Sequence, residues 1–286
     1  MSHQVLARKW RPRVFGDVIG QEHVVKALAN ALDTGRIHHA YLFTGTRGVG
    51  KTTLARILAK ALNCETGVTS NPCGKCAACT EIDAGRFVDL LEVDAATNTK
   101  VDEMRELLET AQYAPVAGRY KVYIIDEVHM LSKSAFNAML KTLEEPPAHV
   151  IFILATTELD KVPETIISRC QTFSFKKPSR EIIRKQVTAV AKQEGYELDP
   201  GAADLVALLG DGSFRDALGI LEKVLGASKN KKVDRGSVES LTGAPRAQLV
   251  NVFIESLIAK NSDIALRTVG DAVSSGISMT TFTTLI

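Results

Sequence analysis

Residues 45–52 read Gly45-Thr46-Arg47-Gly48-Val49-Gly50-Lys51-Thr52, and these residue types at this spacing can hold phosphate. Glycines let backbone N–H groups close around phosphate oxygens, and a following helix N-terminus adds partial positive charge. Lys51 is placed to reach the β- and γ-phosphates, and the Thr52 hydroxyl to ligate magnesium. Thr53 extends the stretch expected to line the phosphates. The chemistry implied is binding of ATP with magnesium.

A second polar pair ends the apolar run Ile124-Ile125-Asp126-Glu127. A carboxylate at the C-terminal edge of a parallel sheet faces the same crevice as a phosphate loop. There Asp126 can hold the magnesium shell, and Glu127 can orient and deprotonate an attacking water. Together the two stretches predict ATP hydrolysis.

Four of the five cysteines cluster: Cys64, then Cys73, Cys76 and Cys79. Two successive Cys-x-x-Cys steps place three thiolates on one tight loop, with Pro72 and Gly74 supplying its turn. Cys64 closes the set, and four sulfurs can surround zinc tetrahedrally, leaving no open position for catalysis. An iron–sulfur cluster and a redox pair are the alternatives this spacing admits. Cys170 reads as a small buried hydrophobe.

The elements that must position these groups follow from periodicity. Ala40-Tyr41-Leu42-Phe43 is a strand before the glycine loop, and Leu54-Ala55-Arg56-Ile57-Leu58-Ala59 a helix after it. Further strands are expected at 87–93, 120–125 and 150–155, and helices at 24–32, about 101–111 and 135–143. Ser132 or Ser134 caps the last of these helices, and Pro146-Pro147 stops it. Strands alternating with helices predict a parallel sheet covered on both faces, an α/β domain. From Glu181 onward only helical periodicity appears, at about 181–194, 202–209, 214–225, 238–241 and 248–259. The expected boundary lies near Pro178, with a second break near Gly243-Ala244-Pro245. Lys229-Asn230-Lys231-Lys232 reads as a solvated connection, and the chain ends mid-pattern, as a fragment of a longer protein would.

Length and composition agree with a globular reading. The chain has 286 residues, 45% hydrophobic and 24% charged, and a net charge of +2. That balance neither requires nor excludes a nucleic-acid partner. Neither a membrane span nor a signal peptide is read, so the cytoplasm is the expected location.

The combination Asp126-Glu127-Val128-His129, Ala155-Thr156-Thr157, Ser168-Arg169-Cys170 and Gly212-Ser213-Phe214-Arg215-Asp216-Ala217-Leu218 resembles the AAA+ ATPases of sliding-clamp loaders. The cysteine loop and the opening Leu6-Ala7-Arg8-Lys9-Trp10-Arg11-Pro12 are similar to those of their bacterial tau/gamma motor family. The resemblance implies a RecA-like P-loop domain over residues 1–178, with a zinc module at about 64–85. It also implies a helical lid at 179–242 and the start of a helical collar, cut short, at 243–286. Thr157 takes the place of the family's sensor threonine near the γ-phosphate. Arg169 takes that of an arginine finger reaching a neighbouring subunit's ATP, and Arg215 that of the lid arginine. Asp216 is read as serving its helix N-terminus.

The basic N-terminal stretch admits nucleic acid. The resemblance instead favours Ala7, Arg11 and Pro12 bordering the adenine. Implied partners are the other subunits of a five-membered ring, the sliding clamp, and primed DNA gripped without sequence preference, with no membrane. Lys100, Arg105 and Lys141 are the candidate phosphate contacts, and Asn98 stands where relatives often carry a basic residue. Three rival readings remain: a recombination helicase motor, a non-hydrolysing nucleotide-binding scaffold, and a zinc-dependent DNA-binding module. The last would need a basic surface where the loop carries only Lys75 and Arg86.

Overall fold

The structure is a computed structural model that describes residues 4–97, 101–228, 231–245, 247–274, 276–277, 279 and 282–283; the side chains of 101–103, 105 and 247 are outside the description. It divides into two compact units, Arg11–Lys177 and, separately, Pro178 onward together with the N-terminal segment through Trp10.

The one-turn helix α1 (Leu6–Lys9) belongs to the second unit, and α2 (Glu22–Asp33) opens the first. There follow β1 (Ala40–Thr44), α3 (Lys51–Asn63), α4 (Ala77–Ala84), β2 (Leu90–Asp94), α5 (Val101–Thr110) and β3 (Lys121–Asp126). The unit closes with α6 (Lys133–Glu144), β4 (Val150–Thr156), α7 (Glu164–Ile167) and β5 (Gln171–Ser174). The strands form one parallel sheet in the order β2-β3-β4-β1-β5. Alternate residues of each strand feed opposite cores. Tyr41, Phe43, Val122, Ile124, Ile151 and Ile153 pack with Leu28 of α2 and Leu54 and Leu58 of α3. Ala40, Leu42, Tyr123, Ile125, Phe152 and Leu154 pack with Leu108 of α5 and Phe136 and Met139 of α6. This two-sided burial explains the unbroken apolar runs.

Ser132 is the residue that caps α6, its hydroxyl accepting the Ala135 N–H at 3.2 Å. Strand β2 starts at Leu90 rather than Phe87, because Asp89 turns its carboxylate inward. Its oxygens accept the N–H groups of Val116, Ala117 and Gly118 at 2.9, 2.7 and 2.7 Å. Cys170 is only partly buried, against the α6 side of the sheet, and burial pushes its thiol up to about 12.

The second unit holds α8 (Arg180–Gln193), β6 (Glu197–Leu198), α9 (Pro200–Leu209), α10 (Phe214–Ala227), β7 (Lys232–Val233), α11 (Arg235–Thr242), α12 (Ala247–Ile258) and α13 (Ser262–Ser274). Helical periodicity alone does not describe it. Leu198 and Val233 bring two short strands together in parallel, and the Lys232 end of the expected loop pairs with Glu197 at 3.2 Å. Lys229 and Asn230 lie outside the described residues. Apolar packing falls into two clusters, one around Val187, Val206 and Leu221 and one around Val250, Ala272 and Phe282.

The opening segment is the main departure from the expected organisation, which kept it with the P-loop domain. Leu6 buries itself among the residues of α8 to α10, and its N–H reaches Glu222 at 3.2 Å. Trp10 donates its indole N–H to Glu194 at 2.6 Å. Two apolar anchors and two carboxylates thus tie the N-terminus to helices far along the chain.

Candidate functional site

The glycine loop joins β1 to α3 through backbone that other residues rarely adopt. Gly45, Gly48 and Gly50 have φ of 146°, 74° and 105°. A side chain at Gly45 would place its Cβ 2.6 Å from the Phe175 carbonyl. Val49 is the loop's apolar anchor, buried in the core, whereas Thr46 and Arg47 are exposed. Lys51 starts α3 with only 5% exposure, and its ammonium donates to the carbonyls of Gly45 at 2.6 Å and Thr46 at 2.9 Å. Thr52 and Thr53 are half-buried in the first turn.

Strand β3 delivers the carboxylates to this loop. Thr52 Oγ1 donates to Asp126 Oδ2 at 2.7 Å, so the two oxygens expected around magnesium already converge. Glu127 sits in the left-handed region with φ 49° and ψ 44°. For a residue with a Cβ that conformation costs roughly 1–2 kcal/mol. It turns the carboxylate toward β4, where Thr157 donates to Oε2 from its hydroxyl at 2.9 Å and its N–H at 3.3 Å. The structure therefore joins Lys51 to the glycine loop, Thr52 to Asp126, and Glu127 to Thr157.

Arg169 lies just after α7. Its guanidinium donates to the Thr165 carbonyl at 2.7 Å and pairs with Glu144 at the end of α6, a partner not foreseen from sequence. Arg215 is exposed in the first turn of α10, and Asp216 beside it donates its N–H to the Ser213 cap at 3.1 Å. Ala7 packs on the helical unit's core, while Arg11 and Pro12 belong to the α/β unit. Lys141 is exposed in the last turn of α6, where a cation complements the helix dipole. Lys100 and Asn98 lie outside the described residues, as does the side chain of Arg105.

The cysteines gather at the other end of α3. The sulfurs of Cys64, Cys73, Cys76 and Cys79 all lie within 4.8 Å of one another, Cys73 and Cys79 at 4.0 Å. Tetrahedral sulfur ligation at about 2.3 Å sets sulfurs roughly 3.8 Å apart, so the set fits one such ion. Cys76 caps α4, and N–H groups point at three of the sulfurs: Cys73 N–H to Cys64, Cys76 N–H to Cys73, and Cys79 N–H to Cys76, at 3.3–3.4 Å. Burial opposes a thiolate at Cys64, but the Cys73 N–H and the Thr66 hydroxyl and amide outweigh it and bring the thiol down to about 6. Donation from the Lys75 and Cys76 N–H groups lowers Cys73, whereas burial raises Cys79. Helix α4 is fastened to α3 by a Lys60–Asp83 pair at 2.7 Å, with Lys60 1% exposed.

Comparison with known proteins follows the same lines. The sequence model of the family described as "DNA polymerase III, delta subunit" matches residues 20–179. The chain is 53% identical over 277 residues to the DNA polymerase III subunit tau of Salmonella typhimurium, covering 97% of this chain and 43% of the relative. It is 52% identical to the tau subunit of Escherichia coli, with the same coverages. A gamma subunit of Buchnera aphidicola from Acyrthosiphon pisum is 48% identical over 262 residues, covering 92% of this chain and 72% of the relative. The chain thus spans less than half the length of the two tau relatives. Among solved structures, the Thermotoga maritima RuvB Holliday junction branch migration motor superposes with a TM-score of 0.62 at 19% identity, covering 98% of this chain and 90% of that one. At that identity the likeness shows the fold alone, a parallel sheet with helices.

Proposed function

The chain belongs to the DNA polymerase III tau/gamma family, and from that premise we propose that it is the ATP-hydrolysing motor portion of a replicative clamp loader. The observation that carries the reading is the convergence of Lys51, Thr52, Asp126, Glu127 and Thr157 at the C-terminal edge of β1, β3 and β4. The Lys51 and Thr52 contacts are ones that a bound nucleotide with magnesium can replace. Phosphate oxygens are stronger acceptors for Lys51 than the loop carbonyls it now meets. Thr52 and Asp126 would hold magnesium, which supplies neutralisation of phosphate charge. Glu127 orients a water and takes its proton, with Thr157 fixing the carboxylate from β4. Arg215 would serve as the arginine of a lid over 179–242, and residues 243–286 would begin a collar.

Arg169 acts on a neighbouring subunit in this reading. Its partners Glu144 and Thr165 hold a guanidinium that can be presented across a ring interface, where it is worth about 10³–10⁵ in rate. Ala7, Arg11 and Pro12 border the base. The partners are other loader subunits in a five-membered ring, the sliding clamp and primed DNA. For the cysteine cluster we propose zinc, held by four thiolates with a structural task.

The test is ATP hydrolysis by the full-length protein reconstituted with loader partners, with and without clamp and primed DNA. Stimulation that disappears in Arg169→Ala while nucleotide binding persists supports a shared active site in a DNA-triggered motor. Absence of any response to clamp and primed DNA sinks the clamp-loader reading and leaves an ATPase of another assembly.

A further inference from the structure

We propose that His129 is a positioning residue for ATP hydrolysis, locking the turn that presents Thr157 to Glu127; the proposal rests on the hydrolytic reading above. His129 closes the Asp126-Glu127-Val128-His129 motif, and the mechanism so far gives it no task. Its side chain is 5% exposed and lies between two carboxylates. Nε2 is 3.2 Å from Glu158 Oε1, while Nδ1 is 3.0 Å from Thr156 Oγ1 and 3.4 Å from Glu127 Oε2.

Both neighbours of the ring are themselves tied to other groups. Lys161 donates to Glu158 from 2.7 Å, and that bond holds the Glu158 carboxyl below the usual carboxylate range. Nε2 of His129 faces that carboxylate at ion-pair distance. On the ring's other side, Nδ1 shares a hydrogen bond with the Thr156 hydroxyl. Thr156 Oγ1 in turn accepts the Glu158 N–H at 3.0 Å. A chain of contacts results: Glu158 N–H to Thr156, the Thr156 hydroxyl with His129 Nδ1, and His129 Nε2 beside the Glu158 carboxylate.

Thr157 is the residue these contacts flank. Its N–H and its hydroxyl both end on Glu127 Oε2, so the direction of the Glu127 carboxylate depends on how the turn 156–158 is held. Thr156 is fully buried, which leaves no water to replace a lost ring nitrogen. The ring also borders Glu127 directly through Nδ1. His129 thus acts on hydrolysis through Thr156 and Thr157, without touching nucleotide itself.

The experiment is steady-state ATP hydrolysis and nucleotide binding by the full-length protein in the reconstituted assembly. His129→Ala is expected to lower kcat about 10–100-fold, as displacement of a catalytic group by about 1 Å does. KM and nucleotide affinity should stay within about twofold, because the interaction matters after binding. His129→Asn, whose side-chain oxygen can take the Thr156 hydroxyl, should recover part of the rate. Thr156→Val combined with His129→Ala should be no slower than the worse single variant, since both cut one network. Glu158→Gln removes the exposed charge that faces the ring without threatening the fold and should lower kcat by a smaller factor. Unchanged kcat in His129→Ala and Glu158→Gln, or losses confined to KM and affinity, would overturn the proposal. A wild type that hydrolyses no ATP would instead sink the motor reading beneath it.

Discussion

The two ends of α3 carry sites built on opposite terms. At the N-terminal end, Lys51 and Thr52 satisfy themselves on loop carbonyls and on Asp126, contacts that a better acceptor or a cation can exchange. At the C-terminal end, Cys64 joins three further thiols whose sulfurs already meet at ligating distance, and a metal there has no position left for a substrate. The same end braces β3, the strand that carries Asp126, from behind. Asn63 Oδ1 accepts the Arg119 and Tyr120 N–H groups at 2.9 Å each, and Arg119 donates to the carbonyls of Cys64 and Glu65. Strand β3 is therefore anchored where it begins by one end of α3, and meets the other end where it delivers Asp126. One helix separates a part that must exchange partners from a part that must not.

The largest expected effect tests whether that separation is real. Lys51→Ala should reduce ATP hydrolysis by about 10²–10³-fold or more, since a preorganised cation on the phosphates is lost. Metal content, measured by elemental analysis of the purified protein, should stay at the wild-type value. Cys73→Ser should do the reverse, releasing the metal and lowering the melting temperature by about 10 °C. Its affinity for a non-hydrolysable ATP analogue should change by less than about threefold. Acidification should also strip the metal, because protons compete for the thiolates. A collapse of nucleotide affinity in Cys73→Ser would show that the two ends are one cooperative site.

Asp89 sharpens the comparison at the braced end. Its buried carboxylate is disfavoured by burial, yet three N–H groups of the loop before β3 pull it below the usual carboxyl value of 3.8. Asp89→Asn should cost about 2 kcal/mol in denaturant unfolding, because an amide turns an N–H₂ toward donors. A depressed folded value stabilises above the unfolded value and is lost as pH falls through the folded one. The gap between wild type and variant should therefore be full above about pH 5 and close progressively below about pH 4.

Legibility follows the same divide. The glycine loop is local: its residues dictate left-handed backbone at Gly45, Gly48 and Gly50, and sequence shows it directly. Asp126 and Glu127 were readable as the end of a buried strand. What lay hidden depends on partners distant in the chain. The start of β2 moved to Leu90 because loop amides beyond α5 claim Asp89. The opening segment left the P-loop domain because Leu6 and Trp10 find Glu222, Glu194 and the α8–α10 core. Helix α4 was masked by its cysteines, which read as a knuckle, although Cys76 also caps it. Helix α13 lies beyond the last periodic run of the sequence, and the approach of Glu158 to His129 spans two strands' ends.

The smallest effect concerns the middle of α3, between its two ends. Arg56 projects from the helix to the Glu92 carboxylate on β2 in a two-pronged contact, with the side chains 28% and 26% exposed. Water reaches both groups, so the attraction is screened and partly offset by the ordering of two long side chains. Arg56→Ala should therefore lower stability by about 0.5–1 kcal/mol, with part of that from lost packing of the arginine stem. Raising the salt concentration should shrink the difference, and neither ATP hydrolysis nor metal content should move. If Arg56→Ala instead disturbed both readouts, α3 would be transmitting between its ends through β2, and the independence argued from Lys51 and Cys73 would fail.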